Sequence, residues 1–511
     1  MEFVSKRGGV LAAVLAMGVS AVLVWFGYGL EPYWPLLWLA VPPVLFIALR
    51  GSALQAGLAV GLPWLIGSFS LWGYLHRLAL PPIVFIGIFG TFAAVMAFAG
   101  ILFRALVRGG AIWSGLLAFP ATVVTAEYVR NLTTPHGTAG SLAYSQLDFL
   151  PFLQLASITG PWGMTFFLML FPAALAIAFH LRRTAPKQAF RVLAAALGAV
   201  AVVLLFGVLR LATSDAGQQV RVGLIASDEA GNADVAGPGA ATGKLFAEYA
   251  TEARQLAERG ARIVVLPEKL GVVLQDAADG GGNQLLQQVA DETGAVIVAG
   301  EVYVDGGASY NQARVFRPGK SALRYDKHHL LPPFESPLTP GTTELTFADA
   351  VGTYGVEICK DMDFTPLSRD YGRAHIGLML APAWDFNMDR FWHGHIAIMR
   401  AVEDGFSLVR AAKNGYLTVV DSRGRVLAES RSDALLPFTT LLASVPAGHS
   451  GTLYILLGDW FAWLACVGFL ACLARALSLG VAGRSTRSVS SDQLLAQQSG
   501  LPKDKSIPVH R

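Results

Sequence analysis

Eight apolar stretches dominate this chain, and each is about as long as a helix needs to cross the ~30 Å hydrocarbon layer of a membrane. The mean hydropathy is +0.49 and only 15% of the 511 residues are charged, which is too apolar for an ordinary soluble protein. The stretches lie at about 8–30, 33–49, 52–75, 78–103, 110–126, 159–179, 192–213 and 452–474. Because a membrane-spanning segment must satisfy its own backbone hydrogen bonds, we expect eight transmembrane helices.

The basic residues of the short loops determine the expected orientation. If the N-terminus is cytoplasmic, most Lys and Arg residues of the loops and termini lie on that side, whereas the short loops of the opposite side hold Arg77 and Arg130. Both termini are therefore expected in the cytoplasm. The expected organisation is a membrane domain of seven helices, an extracytoplasmic domain, an eighth span and a disordered cytoplasmic tail, at 1–213, 214–451, 452–478 and 479–511.

Residues 214–451 contain apolar runs of strand length that alternate with helical patterns. The strand-like runs are Val220–Ile225, Arg262–Leu266, Val296–Val304, Tyr354–Cys359 and Ile376–Ala381, and the helical patterns are Lys244–Arg259 and Asn283–Thr293. This alternation predicts one α/β domain of catalytic size. The small net charge of +3 gives no reason to expect a nucleic-acid partner, because the membrane topology already accounts for the basic residues.

Cys359 is the only one of the three cysteines that lies outside a hydrophobic stretch, so it has no evident disulfide partner and is a candidate nucleophile. A thiol attacks as thiolate, which requires a base and a nearby positive charge. Glu268 is a candidate base because it closes a strand-like run, as Cys359 does, and ligands gather beyond the carboxyl ends of strands in α/β sheets. Lys327 is a candidate cation for the thiolate and for an oxyanion.

Each of these residues also has a purely structural interpretation. A lone cysteine after a strand is often a small buried hydrophobic residue, Glu268 could cap a helix or lie on the surface, and most lysines are simply solvated. His328 and His329 could suggest a metal, but adjacent histidines point apart on a strand. We therefore expect no metal site, and no organic cofactor.

The order Glu268, Lys327, Cys359 resembles that of the nitrilase superfamily, whose members have an αββα sandwich. A nitrilase-like domain between a seventh and an eighth span is similar to the bacterial apolipoprotein N-acyltransferase family. The stretches that match this family are Glu127–Arg130, Leu142–Gln146, Lys327–Pro332 with Glu335, Met399–Gly405, Val409–Gly415 and Thr452–Phe461. The fold that this resemblance implies is a multi-span α-helical membrane domain of about eight helices plus an α/β nitrilase-like αββα sandwich.

The resemblance also implies a two-step acyl transfer. Cys359 would take a fatty acyl group from a phospholipid as a thioester, and the N-terminal amine of a diacylglyceryl-cysteine apolipoprotein would accept it. Glu268 would act as the base, Lys327 would stabilise the oxyanion, and Glu335 would support that arrangement. The enzyme would lie in the bacterial inner membrane with its catalytic domain in the periplasm.

The segment Pro382–Trp392 resembles the family's mobile aromatic loop near the acyl site, and Trp384 and Phe386 are its predicted substrate-binding residues. Ordinary core aromatic residues or an interfacial belt would give the same pattern. After the nucleophile, this chain has Lys360 and Asp361 where the family has an aromatic and an acidic residue. Lys360 adds positive charge beside the thiol, which would lower the pKa of the thiol, and it is the third predicted substrate-binding residue.

The chain departs from the family in two further places: Glu268 lies in Leu-Pro-Glu-Lys, and Pro135–Gly140 replaces an aromatic loop. Two other functions are compatible with the sequence. One is a membrane-tethered amidase in which water replaces the amine acceptor. The other is a receptor or scaffold without catalytic activity, for which Cys359→Ser would leave activity unchanged.

Overall fold

Long apolar helices make up the N-terminal part of the protein, as the sequence predicts. The computed structural model describes residues 2–78, 80–213, 217–229, 234–275, 281–432 and 434–498. Within these residues, seven helices are long and apolar enough to cross a membrane, and they lie at Gly9–Gly27, Ala53–Arg77, Pro82–Arg108, Ile112–Thr133, Pro161–Leu181, Pro186–Leu211 and Trp460–Val481. The prediction of a multi-span helical region is confirmed, with one fewer long helix than expected.

The missing long helix is the stretch predicted at 33–49. It folds as two helices of seven residues each, α2 (Trp34–Ala40) and α3 (Pro42–Ala48), each rising only about 10 Å. Pro42 and Pro43 separate them, because a proline ring inside a helix clashes with the carbonyl four residues earlier. The pair still connects the two ends of the bundle: Trp34 stacks on Phe149 at 4.2 Å, and Phe46 packs on Phe179 at 4.7 Å.

The other helices of this region follow recognisable start signals. The helices besides α2 and α3 are α1 (Glu2–Gly27), α4 (Ala53–Ser68), α5 (Trp72–Arg77), α6 (Pro82–Arg108), α7 (Ile112–Thr133), α8 (Leu150–Leu153), α9 (Ala156–Thr159), α10 (Pro161–Leu181) and α11 (Pro186–Leu211), with 3₁₀ turns at Phe69–Leu71 and Leu142–Gln146. Ser52 and Gln55 form a capping box that begins α4, and a proline stands in the first turn of α6, α10 and α11.

Two β-sheets follow in the chain. Their strands are β1 (Gln219–Ala226), β2 (Ile263–Val265), β3 (Val272–Leu274), β4 (Val296–Asp305), β5 (Ala308–Arg317), β6 (Lys320–Asp326), β7 (Leu345–Ala348), β8 (Thr353–Val356), β9 (Leu378–Trp384), β10 (Ser407–Lys413), β11 (Tyr416–Val420), β12 (Val426–Arg431) and β13 (Thr439–Pro446). The first sheet has the order β13-β1-β2-β4-β5-β6, with β3 pairing with β4, and the second has the order β12-β11-β10-β9-β8-β7.

Helices cover the outer faces of both sheets. Against the first sheet pack α12 (Ala240–Glu258) and α13 (Gly282–Thr293), and against the second pack α14 (Thr365–Arg373) and α15 (Arg390–Asp404). The inner faces meet in a shared core that includes Val222, Val265, Val356, Leu380 and Val409. The central strands β9 and β10 are parallel and almost wholly buried, as expected for strands covered on both faces. The predicted αββα sandwich is confirmed.

The C-terminal part returns to the membrane helices. A short helix, α16 (Leu453–Leu457), is capped by Thr452 and ends at Gly458, after which α17 runs from Trp460 to Gln498. This differs from the predicted tail, because the helix continues beyond residue 478 and no proline interrupts it before Gln498. The part of the predicted disordered tail at 499–511 lies outside the described residues.

Candidate active site

Cys359 follows β8 and begins a 3₁₀ turn, Cys359–Asp363. Its φ of +47° lies in the left-handed region, which costs a residue other than glycine about 1–2 kcal/mol, so the surroundings must hold it. Asp361 supplies part of that support. Its carboxylate accepts hydrogen bonds from the backbone N–H of Ile358 at 3.2 Å and of His329 at 2.8 Å, and from the hydroxyl of Tyr325 at 2.7 Å. The half-buried thiol is thus presented at the end of the strand.

Lys327, Glu268 and Glu335 meet in a buried cluster. The ammonium of Lys327 donates to Glu268 Oε1 at 2.8 Å and to Glu335 Oε2 at 2.9 Å. Asn311 binds the same two carboxylates through its Nδ2, at 2.5 Å to Glu268 and 2.7 Å to Glu335. Burial acts to lower the pKa of Lys327, but the two carboxylates outweigh it and the pKa lies well above its usual value. Lys327 is therefore a fixed cation.

Glu335 is held as an anion. Burial would raise its pKa, but the ammonium groups of Lys327 and Lys269 lower it to about 2. Lys269 lies 2.6 Å from Glu335 Oε1, and the backbone N–H of Leu331 donates to Oε2 at 2.8 Å. With all these contacts, Glu335 fixes the position of the Lys327 ammonium.

Cys359 and Glu268 lie on either side of the end of β9. The sulfur of Cys359 is 3.6 Å from the carbonyl oxygen of Trp384, and the backbone N–H of Glu268 donates to the carbonyl of Ala383 at 3.3 Å. Burial raises the pKa of the Cys359 thiol above its usual value, and the Glu268 carboxylate adds to this, while Lys327 opposes it. The resting thiol is therefore protonated, so its attack requires a proton acceptor.

Glu268 has one carboxylate oxygen available for that proton. Both hydrogen bonds that it accepts, from Lys327 and from Asn311, go to Oε1. Within the described part of the chain, no hydrogen bond reaches Oε2. A carboxylate that is oriented through one oxygen and free at the other is arranged to act as a general base.

All three predicted substrate-binding residues contact protein groups in this structure, and two of them lie close to the thiol in sequence or on the neighbouring strand. Lys360 is buried, and its ammonium donates to the carbonyl of Pro135 and lies 4.6 Å from the ring centre of Phe364. The ring of Trp384 lies 3.6 Å from the ammonium of Lys413. A contact with substrate remains a prediction for both residues.

The third, Phe386, lies beside the membrane helices. Phe386 and Trp392 pack against a cluster of buried side chains that includes Tyr74 of α5 and Phe85 of α6. Phe386 also lies 5.5 Å from Phe334, which is half exposed. The chain segment that follows the Trp384 carbonyl therefore connects the thiol to apolar surface of the helical region.

Three residues of this site, Lys413, Arg410 and Asn311, are absent from the sequence-based prediction. Lys413 and Arg410 lie on β10 next to β9, and Arg410 forms a bidentate ion pair with Asp385 at 3.0 and 2.5 Å. The sequence did contain a signal for Lys413 and Arg410, because both lie in Val409–Gly415, which matches the family pattern at the end of a strand. Asn311 lies within β5, where nothing in the sequence distinguishes it from other polar strand residues.

Comparisons with known proteins agree with this architecture. The carbon-nitrogen hydrolase family matches residues 235–447, and the apolipoprotein N-acyltransferase N-terminal domain matches residues 20–174. The apolipoprotein N-acyltransferase of Geobacter metallireducens is 27% identical over 89% of this chain and 93% of its own length. That of Haemophilus influenzae is 25% identical over 90% of this chain and 93% of its own. An amidase from Nesterenkonia sp. of known structure is 20% identical over 45% of this chain and 92% of its own, with a TM-score of 0.38.

The sandwich and the cluster of cysteine, glutamate and lysine define the carbon-nitrogen hydrolase class of enzymes, here joined to membrane helices. The N-terminal part of the chain matches one kind of protein within that class, and relatives of that kind align with up to 90% of the chain. Over most of its length the chain is similar to the apolipoprotein N-acyltransferases.

Proposed function

We propose that this enzyme transfers a fatty acyl group from a phospholipid, through a thioester on Cys359, to the N-terminal amine of a diacylglyceryl-cysteine apolipoprotein. The similarity to apolipoprotein N-acyltransferases supports the reaction class. One structural observation supports the lipid donor: the segment after Trp384 packs Phe386 and Trp392 onto the helical cluster that contains Tyr74. A thiol connected in this way to membrane helices is within reach of an ester bond whose acyl chain stays in the bilayer.

In the first step, Glu268 accepts the thiol proton as the sulfur of Cys359 attacks the ester carbonyl of the phospholipid. The Lys327 ammonium, together with a backbone N–H beside the cysteine, stabilises the negative oxygen of the tetrahedral intermediate. The carbon–oxygen bond to the glycerol breaks, and Glu268 returns its proton to the leaving alkoxide. The products are a lysophospholipid and a thioester on Cys359.

In the second step, the amine of the apolipoprotein attacks the thioester carbonyl and gives a proton to Glu268. The carbon–sulfur bond breaks, the proton returns to the sulfur, and an amide is formed. Glu335 and Asn311 contribute by holding Lys327 and Glu268 in place through both steps. Both substrates carry acyl chains, which accounts for a catalytic domain built onto membrane helices.

We also infer that the enzyme lies in a bacterial inner membrane with residues 214–451 on the periplasmic side. The distribution of arginines supports this orientation. At the end of the bundle far from the α/β domain, Arg104 and Arg108 donate to the carbonyl of Gly51, and Arg182 lies over the ring of Phe179. Cysteine residues introduced at Arg77 and at Arg183 test this: a membrane-impermeant thiol reagent on intact cells should label the first and spare the second.

The decisive experiment incubates the purified full-length protein with a phospholipid of defined acyl chain. Intact-protein mass spectrometry should then show one added acyl mass, located on the peptide that contains Cys359 and removed by hydroxylamine. Cys359→Ala should abolish this mass. Cys466→Ala is the matched control, because Cys466 lies in α17 away from the site, and it should acylate like the wild type.

Addition of a diacylglyceryl-cysteine peptide distinguishes acyl transfer from hydrolysis. The thioester should disappear as an N-acylated peptide forms, at a rate that depends on the peptide concentration. Release of free fatty acid alone, with the peptide unmodified, would show that the enzyme is an amidase-type hydrolase and not a transferase. Absence of any acyl mass on Cys359 would exclude the thioester mechanism altogether.

A further inference from the structure

A loop of the membrane region contacts the turn that carries Cys359. We name residues 135–138 the clamp loop. The carbonyl oxygen of Asp363, the last residue of the turn, accepts hydrogen bonds from the backbone N–H of Thr138 at 2.9 Å and from its hydroxyl at 2.7 Å. The ammonium of Lys360, next to the nucleophile, donates to the carbonyl of Pro135. Three hydrogen bonds therefore join the turn to the clamp loop.

Gly137 brings the clamp loop into direct contact with the turn. Its φ is +51°, and a Cβ atom at this position would lie 2.5 Å from the carbonyl oxygen of Asp363. Such a distance is shorter than any normal van der Waals contact. Only a residue without a side chain leaves both the loop and the turn where they are.

The clamp loop is itself anchored to the membrane helices. Glu127 of α7 accepts hydrogen bonds from the hydroxyl of Ser141 at 2.9 Å and from the backbone N–H of Leu142 at 2.7 Å, just after the loop. The hydroxyl of Thr138 also contacts that of Tyr144 at 2.5 Å. Movement of the loop would therefore break contacts within the helical region.

We propose that the clamp loop is a positioning element for the nucleophile, through which the membrane helices hold the Cys359–Asp363 turn in its catalytic geometry. The left-handed backbone of Cys359 needs such external support, and Asp361 provides it from the other side. Lys360 then acts as a positioning residue through its bond to Pro135. This inference rests on the proposed function, because it takes Cys359 as the nucleophile.

Gly137→Ala, compared with Gly110→Ala, tests the proposal. Both glycines lie in loops of the helical region at positive φ, +51° and +80°, so both variants carry the same kind of backbone strain. A Cβ at Gly110 meets nothing within 4 Å, whereas one at Gly137 displaces Asp363. In full-length protein, Gly137→Ala should slow acylation of Cys359 by phospholipid about 100-fold, as expected for a displaced nucleophile. Gly110→Ala should stay within about twofold of the wild type.

A second measurement separates positioning from general destabilisation. At a temperature at which both variants are folded, the rate of Cys359 alkylation by iodoacetamide should differ from that of the wild type across the pH range in Gly137→Ala and should be unchanged in Gly110→Ala. Equal acylation rates in the two variants would overturn the proposal. Absence of acylation in the wild type would instead contradict the proposed function. The failure of the positioning proposal and the failure of the proposed function are therefore distinguishable.

Lys360 provides an independent test if Gly137→Ala does not fold. Lys360→Met removes the donor to Pro135, and acylation should fall about tenfold or more. Lys360→Arg keeps a cationic donor and should restore most of the rate. If Lys360→Met is acylated at the wild-type rate, the proposal is contradicted.

Discussion

The side-chain amide of Asn311 donates to Oε1 of Glu268 at 2.5 Å, the same oxygen that accepts the Lys327 ammonium. With both donors on one oxygen, the carboxylate cannot rotate without losing charge-assisted hydrogen bonds. Its other oxygen accepts no hydrogen bond from the described residues, so in the proposed mechanism it is the one available for the thiol proton. Asn311 thus orients the proposed base although it carries no charge.

Asn311→Leu should therefore lower the rate of Cys359 acylation by about 10- to 100-fold, because a misoriented base accepts the thiol proton poorly. Gln312→Leu is the matched control. Gln312 is the next residue of β5, it is equally buried, and it donates to Asp326 at 2.6 Å, but its side chain points to the other face of the sheet. Measured acylation rates should be low for Asn311→Leu and close to the wild-type rate for Gln312→Leu. Equal rates would show that Glu268 needs no such orientation.

Lys327→Met should abolish acylation and also destabilise the fold. It leaves the carboxylates of Glu268 and Glu335 buried without their shared ammonium, and breaking a buried ion pair costs about 3–5 kcal/mol. Lys269→Met is the comparison, because Lys269 is more exposed and contacts Glu335 from the edge of the cluster. We expect thermal midpoints to fall much more for the Lys327 variant. A similar loss in both variants would mean that the two lysines share the charge equally.

The sequence predicts the sandwich well because its central strands are continuous apolar runs. The run Val220–Ile225 lies within β1, whereas the run predicted at Ile376–Ala381 is observed two to three residues later as β9, Leu378–Trp384. Strands that are buried on both faces have no alternation from which their ends could be located. The short helices α2 and α3 were predicted as one span for a related reason, since average hydropathy does not register the Pro42–Pro43 break.

The sequence predicted those site residues that are chemically reactive and lie at the end of a strand. Cys359 and Glu268 both close strand-like runs, and the topology brings those ends together beside β9. Asn311 could not be found in this way, because its role depends on the register of β5 against β4 and on the position of Glu335. The contact of Lys360 with Pro135 joins residues 225 positions apart, which no local pattern encodes.

Lys413→Met should stabilise the protein most near neutral pH. Burial lowers the pKa of Lys413 from 10.5 to about 7, the largest contribution, while Glu268 opposes this. Between pH 7 and 10.5 the unfolded chain binds a proton that the folded protein does not, so wild-type stability rises with pH in this range. The difference in thermal midpoint between variant and wild type should be largest at and below pH 7 and shrink towards pH 10. A constant difference across these pH values would contradict a pKa of Lys413 that burial has lowered.

His393 should have the opposite pH dependence, because its pKa is raised. Burial acts to lower it, but Asp389, whose carboxylate lies 3.1 Å from His393 Nε2, raises it from 6.5 to about 9. The ion pair therefore stabilises the fold fully below pH 6.5, and this contribution is lost as the pH rises through 9. His393 also contacts the hydroxyl of Tyr74 at 3.4 Å, so the pair joins the start of α15 to the membrane helices.

His393→Gln should accordingly lower the thermal midpoint at pH 6 and have a smaller effect at pH 9.5. Gln keeps a hydrogen-bond donor but no titratable charge, which isolates the electrostatic part of the interaction. His375→Gln is the control, because His375 lies at the far end of α14 beside His449, away from Asp389. Its effect should not follow the same pH profile. A His393 variant that is destabilised equally at both pH values would show that packing against Tyr74, and not the charge on the imidazole, holds this junction together.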